Sequence, residues 1–145
     1  MTGRIGIDDV TPAIDGHPTK AVVGEAVPIR AIVWREGHDA VGANVVWSGP
    51  AVIGASAPVP HQARMVPEGV DSDRWVATVV PDAVGLWTFR VDGWSDPWAT
   101  WVHAINAKVG AGQSAEELAN DLETGARLLD RAGRRPSERP NRPLL

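Results

Sequence analysis

The 145-residue sequence contains no cysteine. A disulfide framework, a thiolate metal site and a cysteine nucleophile are therefore excluded, and the absence fits a reducing cytosol. The sequence also has no run of 18 apolar residues, which argues against a membrane-spanning helix. Residues 1–9 lack the apolar core of a signal peptide. We therefore expect a cytoplasmic protein without a membrane partner.

The sequence also lacks the motifs that are typical of catalytic, metal-binding and phosphate-binding sites. The four histidines, at positions 17, 38, 61 and 103, do not have the spacing of metal ligands. No serine lies in a Gly-x-Ser-x-Gly elbow, and neither a Gly-x-Gly-x-x-Gly motif nor a phosphate-binding loop occurs. The sequence therefore predicts no catalytic, cofactor-binding or metal-binding residue in this chain, and no cofactor.

Charge is unevenly distributed along the chain. Residues 1–126 carry a net charge of −8 and residues 127–145 a net charge of +4. An acidic body is not expected to bind nucleic acid. The arginines of the C-terminal segment alternate with proline and lack interleaved aromatics, so this segment is predicted to be a solvated linker.

Turn residues divide the first 110 residues into short β segments. Trp87, Phe89 and Val91 alternate with polar residues, which is typical of a half-buried antiparallel strand. About seven such segments predict a mostly β fold, an immunoglobulin-like antiparallel β-sandwich over residues 1–110. The segments recognised most directly cover residues 20–23, 27–34, 41–48, 74–80, 86–92 and 98–109.

A C-terminal amphipathic helix is predicted to follow the sandwich. Ser114 and Glu117 form a capping box, and Leu118, Leu122 and Leu129 make an apolar stripe on one helical face. The helix is expected from about residue 114 to 132, within an extension over residues 111–133. It is too short and too weakly apolar to be stable alone, so the stripe is a candidate interface. Residues 134–145 would be the Pro/Arg-rich linker.

Seven tryptophans stand against one phenylalanine and no tyrosine. Trp94, Trp98 and Trp101 lie close together in the sequence and are candidate contacts to carbohydrate or to another protein module, because flat indole faces stack well. In a strand, Trp98 and Trp101 would point to opposite faces, which argues against one flat sugar-binding platform. Packing in a core or an interface is the favoured interpretation.

Several blocks of the chain resemble the start of the α-1,4-glucan:maltose-1-phosphate maltosyltransferases (GlgE type). Together they extend from about Arg4 to Ala132. The blocks are Lys20–Glu25, Val33–Val41, Val84–Pro97, Thr100–Trp101, Leu118–Leu122 and Gly125–Leu129.

The resemblance implies a fold, a function and partners. In that family an N-terminal β-sandwich with helices precedes an α-amylase-like barrel, which transfers maltosyl units from maltose 1-phosphate to α-glucan by a retaining mechanism. A homodimer with the N-terminal domain in its interface is also implied. The sequence ends before the barrel, so no catalytic residue is carried over.

The resulting hypothesis is an accessory N-terminal domain, inactive alone, that acts in assembly and positioning within a glycosyltransferase of α-glucan biosynthesis. Its expected partners are the missing catalytic barrel and a second copy of the enzyme. Two alternatives remain open: an α-glucan-binding carbohydrate module, and a stand-alone immunoglobulin-like adaptor.

Overall fold

A computed structural model describes residues 3–51, 54 and 57–134 of the chain. The chain divides into two compact units, with the boundary between Ser95 and Asp96. The first unit contains the strands and the second contains the helices. The elements are β1 (Ile5–Thr11), β2 (Val27–Arg35), β3 (Val41–Ser48), β4 (His61–Arg64), β5 (Val66–Pro67), β6 (Arg74–Val79), β7 (Thr88–Ser95), α1 (Pro97–Gly110) and α2 (Ala119–Gly133).

The strands form two antiparallel sheets. One sheet has the order β1-β2-β6-β5 and the other has the order β4-β3-β7. The predicted mostly β fold with a C-terminal helix is therefore confirmed, whereas the finer immunoglobulin-like assignment stays a prediction.

Alternation along the central strands builds the core between the sheets. Ile29, Ala31 and Val33 of β2 face Ala43 and Val45 of β3, and all five are buried. Because successive residues of a strand point to opposite faces, this spacing of two places one apolar row from each sheet in the interior.

Met65 marks the point where the chain passes from one sheet to the other. It lies between β4, which pairs with β3, and β5, which pairs with β6. Its amide donates to the carbonyl oxygen of Ala43 at 2.9 Å, and its side chain is fully buried in the core. The crossing is thus anchored by one backbone hydrogen bond and one core side chain.

Two tryptophans cover glycines on neighbouring strands. Trp34 is the cross-strand partner of Gly6, and Trp94 is the cross-strand partner of Gly42. A Cβ added at Gly42 would lie only 2.7 Å from the Trp94 ring, and one added at Gly6 would overlap the Trp34 ring. The missing side chain therefore gives each ring a place to lie flat on the sheet.

The strand predicted over residues 98–109 is wrong, because this segment forms α1. Asp96 caps the helix, accepting a hydrogen bond from the amide of Ala99 at 3.0 Å. Pro97 occupies the first turn, where its missing N–H costs nothing and its fixed φ suits a helix. The Asp-Pro pair is a helix-start signal that outweighs the strand propensity of the tryptophans and valines that follow.

The segment predicted as a strand at residues 20–23 is also not a strand. It leads into a turn in which the Glu25 amide donates to the carbonyl oxygen of Val22 at 2.9 Å. The Glu25 carboxylate in turn accepts a hydrogen bond from the Val22 amide at 2.7 Å. These local bonds take backbone groups that a sheet would otherwise use.

The predicted capping box is present, but the helix begins later than expected. The amide of Ser114 donates to the Glu117 carboxylate at 2.7 Å, and the amide of Glu117 donates to the Ser114 hydroxyl oxygen at 3.3 Å. The box closes a turn, and α2 starts at Ala119 and ends at Gly133. Apart from Arg134, the predicted linker at 134–145 lies outside the described residues. Neither helix that the structure describes is long and apolar enough to cross a membrane.

Candidate functional site

Trp98 and Trp101 lie together on α1, which corrects the expectation that they point apart. Their ring centroids are 4.9 Å apart and the ring planes make an angle of 28°. Residues three apart share a face in a helix but not in a strand. Trp98 is 39% exposed, so the stacked pair presents one indole to solvent.

Trp101 is held in place by α2. Its indole N–H donates to the carbonyl oxygen of Asp121 at 2.6 Å. The ring lies against Gly125, where any Cβ would overlap it. Lys108 adds an ion pair, with its Nζ 2.8 Å and 2.9 Å from the two carboxylate oxygens of Asp121. The position of Trp101 is therefore set by packing and hydrogen bonding between the two helices.

Trp94, the third candidate contact, belongs to β7 in the first unit and lies against Gly42. Its role in that unit is to cover a neighbouring strand. Two further tryptophans of the sheets also serve packing: Trp75 is buried in the core, and Trp47 is partly buried and packs against it. Much of the tryptophan excess therefore has a structural explanation.

The three leucines of the predicted interface stripe differ in exposure. Leu118, which precedes α2, is 4% exposed, whereas Leu122 and Leu129 are 46% and 57% exposed. Gly125, between them, is the buried residue of α2. Within this chain the stripe is therefore divided into a packed end and two leucines that remain open to solvent.

A large apolar cleft lies at one end of the first unit, and the sequence analysis did not predict it. Its volume is about 890 Å³. Its floor is the end of the core, where Ile29 and Val79 of one sheet face Trp47 and Phe89 of the other. Two connecting segments form the walls, residues 12–23 before β2 and residues 81–87 before β7. We call this feature the open-end cleft.

The walls of the open-end cleft are tied together by hydrogen bonds. The amide of Gly24, the residue that follows the first wall, donates to the carbonyl oxygen of Pro81 at 2.8 Å and so joins the end of the first wall to the start of the second. Within the second wall, the indole N–H of Trp87 donates to the carbonyl oxygen of Ala83 at 2.9 Å. The signal available in the sequence was the occurrence of three valines and one leucine in two segments that contain proline and glycine and therefore do not read as strands over their whole length.

The described residues contain no group of three or more histidine, aspartate or glutamate side chains arranged to hold a metal ion. His61 stacks on Trp47 with 5.5 Å between the ring centroids, and His17 lies in the lining of the open-end cleft. The histidines thus take separate structural positions.

These features define the class of the protein as a two-sheet β-module joined to a helical unit. Comparison with known families assigns it further. Residues 3–144 match the family described as alpha-1,4-glucan:maltose-1-phosphate maltosyltransferase, domain N/S, and the chain belongs to that family.

Individual relatives agree with the family assignment. The chain is 58% identical over 133 residues to the alpha-1,4-glucan:maltose-1-phosphate maltosyltransferase of Corynebacterium glutamicum, covering 91% of this chain and 20% of that protein. It is 48% identical to the Mycolicibacterium smegmatis enzyme of the same name over all of this chain and 24% of the enzyme. The Mycobacterium tuberculosis enzyme is 44% identical over 91% of this chain and 22% of the enzyme. The chain thus spans a fifth to a quarter of the length of these relatives.

Proposed function

We propose that this chain is the accessory N-terminal region of a maltosyltransferase and that it acts in assembly and positioning. The observation that carries the proposal is the match to domain N/S over residues 3–144. The longer protein would transfer maltosyl units from maltose 1-phosphate to α-1,4-glucan, the substrates in the names of the relatives. The accessory chain would supply no catalytic group to that reaction.

The packing of the first unit supports this role. The buried core residues of this unit that the structure describes are all apolar, and the largely buried side chain of Arg35 pairs with Asp39 at 3.2 Å. Its tryptophans cover glycines and fill the space between strands, and ion pairs such as Arg90–Asp92 lie at the surface. An arrangement of this kind provides rigidity and surface rather than a reacting group.

The partners follow from the same proposal. The first is the catalytic barrel of the longer protein, and the second is another copy of that protein in a homodimer. Leu122 and Leu129 are the residues we propose for the interface between modules, because each leaves about half of its surface open on one face of α2. The cytoplasm is the proposed location, where the sugar phosphate donor would be available.

The test compares the 145-residue chain with the longer protein that contains it. Each is incubated with maltose 1-phosphate and glycogen, and phosphate release and chain extension are measured. We expect activity from the longer protein and none from the 145-residue chain. Activity of the short chain would contradict the accessory role, and inactivity of the longer protein would contradict the proposed reaction. The Corynebacterium glutamicum enzyme serves as the positive control.

A second candidate function is binding of α-glucan, favoured by the stacked Trp98–Trp101 pair with its exposed outer indole. Calorimetric titration of the chain with maltoheptaose tests it. Binding that is lost in Trp98→Ala and kept in Val109→Ala, a matched change at an exposed residue of the same helix, would support a sugar site. Absence of heat at millimolar sugar would count against it.

A further inference from the structure

We propose that the open-end cleft is the surface on which part of the longer polypeptide, beyond residue 145, docks by inserting apolar side chains. The inference rests on the proposed function in one respect, that this chain is a module of a longer protein. The inference goes further by identifying the face of this module on which the remainder of that protein docks.

Phe89 lies on the inward face of its strand but is not covered by the core. Phe89 and Trp47 are cross-strand partners and share the inward face with Val45 and Val91, which pack in the core. Phe89 is nevertheless 36% exposed. An inward-facing aromatic that remains open at the end of a sandwich indicates that the core is not closed there.

Both walls of the open-end cleft carry exposed apolar side chains. Val84, Leu86 and Val22 are 89%, 64% and 72% exposed, and all three line the cleft. Isolated exposed apolar residues are ordinary, but a contiguous set around an opening is typical of an interaction site. Because the two walls are already bonded to each other between Gly24 and Pro81, little ordering is needed when the cleft is filled.

The chemistry of the lining defines the occupant. Among the described residues that line the cleft, the titratable ones are His17 and Lys20, and none of these lining residues carries a carboxylate. A sugar needs several donors and acceptors directed at its hydroxyl groups, and a cation needs oxygen ligands. The lining is instead dominated by aliphatic and aromatic side chains, which suits leucine- or phenylalanine-like side chains of a protein segment.

The length of the relatives and the concave shape of the cleft indicate where that segment comes from. The chain covers only 20% of the Corynebacterium glutamicum relative, so most of such a protein lies outside it. A segment tethered in the same polypeptide has an effective concentration in the millimolar range, and weak apolar contacts then suffice for docking. A second copy in a two-fold dimer would fill this concave surface only if the same interface patch also carried a matching protrusion, a requirement that a tethered segment does not have.

The absence of cysteine from the chain makes a direct test available. Val84→Cys places a thiol on the cleft wall. Val70→Cys places a matched thiol at a residue that is 92% exposed and outside the cleft lining. The rate of maleimide labelling at each site is measured by peptide mass spectrometry, in the 145-residue chain and in the longer protein. Circular dichroism verifies that each variant folds. If Val84→Cys does not fold, Leu86→Cys takes its place as the variant with a thiol on the cleft wall.

We expect the wall thiol of Val84→Cys and the control thiol of Val70→Cys to react at similar rates in the 145-residue chain. In the longer protein the wall thiol should react more slowly by about tenfold or more, as for a site that must open locally to react, whereas the control thiol should be unchanged. A maleimide–diazirine cross-linker on the wall thiol should then couple to a peptide beyond residue 145 of the same molecule.

Four results would overturn the proposal. Equal rates at the wall thiol in the two proteins would show that nothing covers the cleft, and slow labelling already in the 145-residue chain would show that the chain covers it itself. Protection lost on dilution to monomers would assign the cleft to a second copy. Protection that requires added maltoheptaose would assign it to sugar. The maltosyl-transfer assay is independent, so a protected wall thiol in an inactive longer protein would refute the function and leave the docking surface standing.

Discussion

The indole of Trp101 lies directly on Gly125, so that α1 and α2 approach at a position where no side chain fits between them. The same indole donates its N–H to the carbonyl oxygen of Asp121, one turn before Gly125. A glycine in the middle of a helix costs about 1 kcal/mol relative to alanine. Here the close approach of a large aromatic ring offsets that cost.

Replacing this glycine should therefore destabilise the helical unit although alanine is the better helix former. We expect Gly125→Ala to lower the free energy of unfolding by about 1–3 kcal/mol, because the Trp101 ring must move and its hydrogen bond must distort. Urea unfolding followed by circular dichroism measures the change. Gly133→Ala is the control, since nothing lies within 4 Å of a Cβ there. A gain in stability for both variants would contradict the packing.

Met65 should be a sensitive position of the first unit. Its side chain is fully buried where the chain changes sheets. Met65→Ala is expected to cost about 2–5 kcal/mol through lost burial and the cavity left behind. Its neighbour Val66 is 55% exposed, so Val66→Ala should cost less than about 1 kcal/mol. Equal melting temperatures for the two variants would refute the assigned burial.

Alanine substitutions at Leu118 and Leu122 should have different effects on the free energy of unfolding. Leu118→Ala should cost about 2–5 kcal/mol in the 145-residue chain because the side chain is buried. Leu122→Ala should cost less than about 1 kcal/mol there, since that side chain is half-exposed. In the longer protein, Leu122→Ala should weaken association in sedimentation velocity if α2 lies in the dimer interface. Unchanged association would remove Leu122 from that interface.

Loss of the capping box should reduce stability modestly. Ser114→Ala removes the hydroxyl that accepts from the Glu117 amide, and helix caps of this type contribute about 0.5–2 kcal/mol. We expect the lower end of that range, because the box closes a turn before α2 rather than its first helical turn. Thermal unfolding provides the measurement, and Glu116→Ala, one residue before Glu117, is the comparison. A larger loss in the comparison variant would argue against the box.

The strands were predictable where one face is buried. Val41–Ser48 and the region around Trp87–Val91 have clear apolar patterns, and β3 and β7 lie there. The segment after Pro97 was misassigned because tryptophan and valine favour strands, whereas Asp96 and Pro97 start a helix through backbone capping. That one error also separated Trp98 from Trp101, which the helix places in contact.

The amino-acid sequence by itself determined the mostly β class, the family and the presence of a C-terminal helix, because each depends on local patterns of residues. The tertiary structure decided which tryptophans cover glycines, that Leu118 is buried while Leu122 is not, and that two connecting segments enclose an apolar cleft. These features depend on residues far apart in the chain, such as Gly24 and Pro81, whose contact forms only when the strands pair. Local propensity contains no information about such distant contacts.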